Sequence, residues 1–289
     1  MKKIALVTGA GSGIGLATVN ILSRSGYIVI ATSILSEELA QLALINFDNV
    51  EIRQLDVTNQ SAVDDVVKAV QDTYGQLDVL INCAGTWLPS LVESVTAADI
   101  EFQIQLNAIA PIRLIQSFMP LLEAAEGYAI TVSSMNGKVS MAGSGAYSAS
   151  KFALEALISA LRLEIGKRKV KLVNIQPGQI RTNLFQKAKQ HYDCLVHEYP
   201  ESYKNANVDN IAGIYNAIAR GSRSKNTPEK VACLIIRILC THRPRSTYSV
   251  GLDARILIFI NQYFPERLRQ WILRELNSRF IPTLGKYFY

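Results

Sequence analysis

Over residues 3–182 the hydrophobic pattern switches repeatedly between two periods, and this switching restricts the chain to one class of fold. Short apolar runs at 3–8, 28–32, 50–55, 79–83, 129–133 and 172–176 are mostly rich in Val, Ile and Leu. Such short, mostly aliphatic runs suit parallel strands covered on both faces. Between them apolar residues recur every three or four positions. Val63, Val66, Val67 and Val70 form one such stripe, with Ser61 as its cap, and Leu154, Leu157, Leu161 and Ile165 form another. Strands alternating with helices predict βαβ units in an α/β fold, a single doubly wound parallel sheet flanked by helices.

After Thr182 the pattern loosens. Residues 183–227 are polar and read as a mobile excursion. Pro228 and Glu229 open a helix ending near Cys240, and 248–250 fit a last strand. Two short amphipathic helices over 254–263 and 267–276 predict a helical C-terminal extension. No repeat or linker divides the chain, so 1–289 is read as one domain. Its core is 1–182, and 183–289 supply a substrate lid and the extension.

The first apolar run passes directly into Thr8-Gly9-Ala10-Gly11-Ser12-Gly13-Ile14-Gly15, and a helix follows. Glycines in that context let backbone N–H groups approach a pyrophosphate at the helix N-terminus. The spacing is TGxxxGxG, with Gly9, Gly13 and Gly15 as fixed points, and here the chain resembles the short-chain dehydrogenase/reductase family. The resemblance implies a Rossmann-type sheet and an NAD(P)-dependent enzyme acting on CH–OH groups. It continues in Asn82-Cys83-Ala84-Gly85, similar to the family's NNAG, and in Pro177-Gly178-Gln179-Ile180-Arg181-Thr182, similar to its PGxxxT. It implies cofactor contacts from Gly9, Ser12, Gly13, Ile14, Gly15, Ser33, Asp56, Val57, Asn82, Ala84, Gly85, Pro177, Gly178, Ile180 and Thr182. Asp56 and Val57 fall where the family meets the adenine ring. The second strand ends at Ser33 and Ile34, with neither the acid that binds a ribose 2′-hydroxyl nor the base that holds a 2′-phosphate. NAD and NADP both remain open.

Hydride transfer to a carbonyl leaves an alkoxide that needs a proton, and a group titrating near working pH serves both directions. A free tyrosine titrates near 10, so reaching about 7 requires ~4 kcal/mol of preference for phenolate. A nearby ammonium favours phenolate. Tyr147-Ser148-Ala149-Ser150-Lys151 places both groups four residues apart on one helix face. The resemblance implies that Tyr147 carries the proton and that both Tyr147 and Lys151 contact the cofactor, Lys151 at its ribose. It implies that Ser134, thirteen positions before Tyr147, polarises the substrate oxygen. Ser133 is the neighbouring alternative, turned to the opposite face by strand alternation. Asn107 matches the family's helix asparagine, which holds water in a proton relay; its other reading is a buried amide bonded to backbone.

Residues 242–255, with Ser133–Gly137 and Lys138-Val139-Ser140, resemble the retinol dehydrogenase and 17β-hydroxysteroid dehydrogenase branch. That resemblance implies a small lipophilic alcohol or carbonyl substrate, steroid-, retinoid- or fatty-like. Trp87, Leu88 and Met141 are candidate pocket walls. The family also implies a homo-dimer or tetramer. Many members of the branch carry an N-terminal anchor, whereas here strand one begins at once.

Charge adds a further expectation. Residues 220–289 hold 13 Lys/Arg against 4 Asp/Glu. Beside the apolar residues of 256–264, this basic end fits either a solvated face packed on the core or peripheral contact with an anionic membrane. Basic and aromatic residues do not interleave, so no nucleic-acid partner is expected. Cys83, Cys194, Cys233 and Cys240 have neither CxxC nor metal-ligand spacing. They read as reduced thiols, with no metal site. The run Ile4–Val7 is shorter than the ~7 residues a secretory core needs, and no stretch reaches the ~18 apolar residues of a membrane span. The expected location is cytoplasmic, with peripheral membrane association open. Two readings compete with the enzyme: a non-catalytic dinucleotide-binding regulator, which would have no need of Tyr147 and Lys151, and a membrane-surface binding module.

Overall fold

The computed structural model describes residues 2–44 and 47–277. Its strands are β1 (Ile4–Thr8), β2 (Ile28–Ser33), β3 (Val50–Gln54), β4 (Val79–Asn82), β5 (Tyr128–Val132), β6 (Lys171–Pro177) and β7 (Thr247–Val250). They form one parallel sheet in the order β3-β2-β1-β4-β5-β6-β7. The chain leaves β1 towards β2 on one side and later returns to lay β4 on the other. That reversal opens a crevice at the carboxyl ends of β1 and β4, where ligands bind in folds of this kind.

Period-two alternation sorts the strand residues between two helical layers. Ala5, Val7, Val29, Ala31 and Ile81 face α1 (Gly13–Arg24) and α10 (Pro228–Leu239), meeting Val19, Leu22, Val231 and Ile235. Leu6, Ile30 and Leu80 face the other way. They pack on Val63, Val66 and Val70 of α3 (Gln60–Tyr74), on Leu114 and Phe118 of α5 (Ala110–Ala124), and on Leu154 and Ile158 of α6 (Gly145–Glu164). Burying a side chain of this size contributes about 1.5–3 kcal/mol, so each layer is anchored strongly. The remaining helices are α2 (Ser36–Ala43), α4 (Ala97–Ile104), α7 (Leu184–Glu198), α8 (Glu201–Ala206), α9 (Val208–Ser222), α11 (Leu252–Tyr263) and α12 (Glu266–Asn277).

Three local expectations change. The cap of α3 is Asn59, whose side chain accepts from the Ala62 N–H at 3.2 Å; the helix starts at Gln60, so Ser61 is already inside it. Leu157 points outward, and Ile158 takes its place in the buried stripe. Residues 183–227 are not a loose excursion but hold α7, α8 and α9. Their apolar faces are narrow: Phe185, Ala188 and Tyr192 on α7 meet Ile214 and Ile218 on α9, against Trp87 and Leu91. Among the described residues no helix is long and apolar enough to cross a membrane. Residues 278–289, the end of the basic segment, lie outside the described residues.

Candidate active site

The glycine turn between β1 and α1 packs hard against the turn after β4. Gly9 and Gly13 adopt left-handed backbone angles, with φ of +60° and +52°. A Cβ on Gly9 would sit 2.8 Å from Ala84 Cα, and one on Gly15 would collide with the Gly9 carbonyl. Only glycine permits this approach. The Thr8 hydroxyl oxygen accepts from both the Cys83 and Ala84 N–H groups, each at 3.2 Å, and so ties the two turns together. Ser12 caps α1 without a side-chain bond to its backbone, leaving first-turn N–H groups for an anion.

A cleft of about 520 Å³ runs from this turn across the strand ends. Gly9, Ser12, Gly13, Ile14, Gly15, Ser33, Asp56, Val57, Ala84, Gly85, Pro177, Gly178, Ile180 and Thr182 line it, as do Ser134, Tyr147 and Lys151. Asn82 and Asn107 lie behind the wall instead. The Asn82 amide donates to the Pro111 carbonyl and the Thr131 hydroxyl, both at 3.3 Å, so it braces the end of β4 and does not line the cleft. Asn107 sits in a π-helical turn, Gln105–Ile109, between α4 and α5. Such bulges concentrate at functional sites. Its amide accepts from the Thr86 N–H and donates to the Thr86 carbonyl, both at 2.9 Å, and donates to Ser150 Oγ at 3.1 Å. Asn107 thus clamps the segment following Gly85. Asp56 accepts from the backbone and hydroxyl of Thr58 at 2.8 and 2.6 Å, which stiffens the turn after β3.

Tyr147 and Lys151 lie on one face of α6, and Ser134 stands opposite at the end of β5. The Ser134 oxygen accepts from the Asn136 N–H at 3.0 Å, leaving its proton to donate. Lys151 Nζ lies 5.8 Å from the centre of the Tyr147 ring and donates to the Val132 carbonyl at 3.3 Å. Burial pushes the Tyr147 phenol up to about 12, and Ser134 draws it back only in part. Burial also lowers Lys151 to about 8, against the opposing pull of the Glu155 carboxylate. Spacing alone suggested a phenol made acidic by its neighbour. In the folded chain the cost of burying phenolate dominates instead. Ser133 also borders the cleft, but its hydroxyl is buried with no protein partner and lies toward Gly137.

Four contributors went unread in the sequence. Glu38 of α2 lines the cleft beside Ser33. Asp253 of α11 accepts from the Gln179 N–H at 2.7 Å and fixes the loop after β6. Glu155, buried, lies one helical turn beyond Lys151 and 3.5 Å from Lys138 Nζ. Phe185 of α7 borders the cleft, and Trp87 packs behind it, with ring centres 5.9 Å from Phe185 and 6.5 Å from Tyr147. An acid four residues after Lys151 was a readable signal for Glu155. The others depend on contacts between distant segments.

Comparison with known proteins agrees with this geometry. The family model described as short chain dehydrogenase matches residues 3–193. A probable short-chain type dehydrogenase/reductase, VdlC, of Helicobacter pylori is 32% identical over 263 residues, covering 91% of this chain and 93% of its own. A 3-ketodihydrosphingosine reductase of Bacteroides thetaiotaomicron is 29% identical over 280 residues, covering 94% and 97%. The solved structure of a short-chain dehydrogenase from Streptomyces avermitilis superposes with a TM-score of 0.74 at 27% identity, over 99% of this chain and 98% of that one. With a family model matched over residues 3–193 and relatives of this kind along most of its length, the chain belongs to the short-chain dehydrogenases, NAD(P)-dependent oxidoreductases.

Proposed function

We propose that the protein interconverts an alcohol and a carbonyl on a small lipophilic substrate, using NAD or NADP and Tyr147 as proton carrier. The observation that carries this reading is the convergence of Ser134, Tyr147 and Lys151 on the cleft that begins at the glycine turn. That turn fits a dinucleotide: its glycines allow no side chain, and the N-terminus of α1 opens on the cleft. When bound, the nicotinamide ring supplies or accepts the hydride. Ser134 donates a hydrogen bond to the substrate oxygen, where charge develops. Tyr147 donates the proton to that oxygen in reduction and removes it in oxidation. Lys151, buried beside the phenol, stabilises its deprotonated form. Asn107 holds the backbone beside this centre in place.

Residues 1–182 would then form the cofactor and catalytic core, with 183–289 as the substrate lid and C-terminal extension. The aromatic group of Trp87, Phe185 and Tyr147 supports a lipophilic substrate, as does the name of the Bacteroides relative, a reductase of a long-chain keto compound. The Phe152 and Leu157 side chains, exposed on α6, support self-association through that helix. Exposed Phe259, Tyr263 and Trp271 beside Arg255, Arg267 and Arg274 support peripheral membrane contact. The test of the activity is a screen of NADH and NADPH oxidation against steroid, retinoid, long-chain keto and short hydroxy-acid-derived carbonyl compounds. Turnover confined to the short polar compounds would sink the lipophilic assignment, and no turnover with either nucleotide would sink the activity.

A further inference from the structure

The end of β2 carries no charge of its own, yet the fold brings one there. Glu38, in the first turn of α2, folds back over Ser33. Its Oε2 accepts from the Ser33 hydroxyl at 2.6 Å, and its Oε1 accepts from the Ser12 hydroxyl at 3.1 Å. The carboxylate therefore bridges the strand end to the cap of the pyrophosphate-facing helix, inside the cleft. Its side chain is only 15% exposed. Gly11 is shaped to this seat, because any Cβ there would collide with the Glu38 side chain. Burial raises the Glu38 carboxyl, but hydrogen bonds from Ser33 and Lys187 outweigh it and hold the group below its ordinary range. It is ionised at neutral pH.

The cation facing it is Lys187 of α7, whose Nζ lies 3.0 Å from Oε1. Lys187 is 52% exposed and belongs to a different layer, whereas two hydroxyls fix the carboxylate. Arg53, on the neighbouring strand, pairs with Glu51. Lys187 also borders the cleft, and its half-exposed ammonium screens the carboxylate without replacing it at the strand end.

We propose that Glu38 is the residue that selects the dinucleotide, accepting a hydrogen bond from an unphosphorylated adenosine ribose and repelling a 2′-phosphate, so that the protein takes NAD(H) over NADP(H). The acid that a strand end supplies in other dinucleotide sites is supplied here from the following helix, through Ser33. This inference rests on the dinucleotide reading of the cleft.

The experiment is a titration of the whole protein with NADH and with NADPH, read by nicotinamide fluorescence, for wild type, Glu38→Gln and Lys187→Met. The Gln variant keeps the shape and removes the charge. Wild type is expected to bind NADH about tenfold more tightly than NADPH, a difference one fixed charge readily supplies. Glu38→Gln should erase most of that preference, chiefly by gaining affinity for NADPH. Should that variant fail to fold, Lys187→Met serves as the test: exposing the carboxylate should widen the preference. Equal or tighter NADPH binding by wild type would overturn the assignment, as would a ratio unmoved by Glu38→Gln or one narrowed by Lys187→Met. If wild type binds neither nucleotide, the reading of the cleft fails first, and the assignment of Glu38 fails with it.

Discussion

The Lys151 ammonium lies over the face of the Tyr147 ring, 5.8 Å from its centre, and donates its hydrogen bond to the Val132 carbonyl rather than to the phenol oxygen. The two side chains share a helix face, yet each is held in its uncharged direction by burial. Their coupling therefore depends on what fills the cleft beside them. Positive charge placed there favours phenolate.

Tyr147→Phe removes the hydroxyl and leaves the ring that packs on Trp87. Turnover should fall by about 10²–10⁴, the usual worth of a positioned general acid. NADH affinity should change little, because the glycine turn and Lys151 are untouched. Steady-state kinetics paired with NADH titration check this, and a kcat equal to wild type would remove Tyr147 from the mechanism.

Lys151 also leaves a mark on stability. Folding lowers its titration from 10.5 to about 8. Between those values the unfolded chain holds a proton that the folded chain has released, so stability rises with pH across that window. Tyr147 acts oppositely: its shift from 10.0 to about 12 makes stability fall as pH rises through that higher range. Lys151→Met should raise the melting temperature at pH 7, by up to about 3 kcal/mol of stability, and flatten the increase between pH 8 and 10. Urea unfolding at a series of pH values tests both effects.

Glu155 is a positioning residue for that ammonium. It is buried, borders Gly137 and counters the desolvation of Lys151. Glu155→Gln keeps the shape and removes the charge. The alkaline limb of the activity profile should then move about one unit to lower pH, as loss of a partly buried opposite charge allows. A merely structural role would lower activity equally at every pH.

Asp253 holds the loop after β6 through the Gln179 N–H, and a Cβ on Gly178 would strike the same carboxylate. Asp253→Ala leaves a half-buried amide without its acceptor, costing about 1 kcal/mol. Nucleotide affinity should weaken along with stability, because Gly178 and Ile180 line the cleft. Calorimetric titration beside thermal melting separates the two losses; affinity equal to wild type would mean that the loop does not meet the cofactor.

The sheet was readable because both of its faces are covered. Residues such as Leu6 and Val7 are both apolar, and a run of this kind between helical stripes has few other interpretations. The glycine turn and the Tyr147–Lys151 pair were readable because their chemistry lies within one turn of chain. Glu38 was not, since Ser33 and Ile34 at the strand end carry no charge and the acid arrives from the next helix. Asp253 lies 74 residues from the amide it holds. The helices after Thr182 were hidden by their composition, because α7 buries only Phe185, Ala188 and Tyr192 along its length. The direction of the Tyr147 shift was missed for another reason: spacing reports a neighbour's charge but not how much water has been lost.

One oxygen atom at the end of β1 serves two amides of the adjacent loop. A valine at Thr8 would match its outline and strand both hydrogens together, in a wall shared by neighbouring strands. The crevice is thus keyed to a single hydroxyl, through which the turn after one strand and the turn after its neighbour hold each other in place.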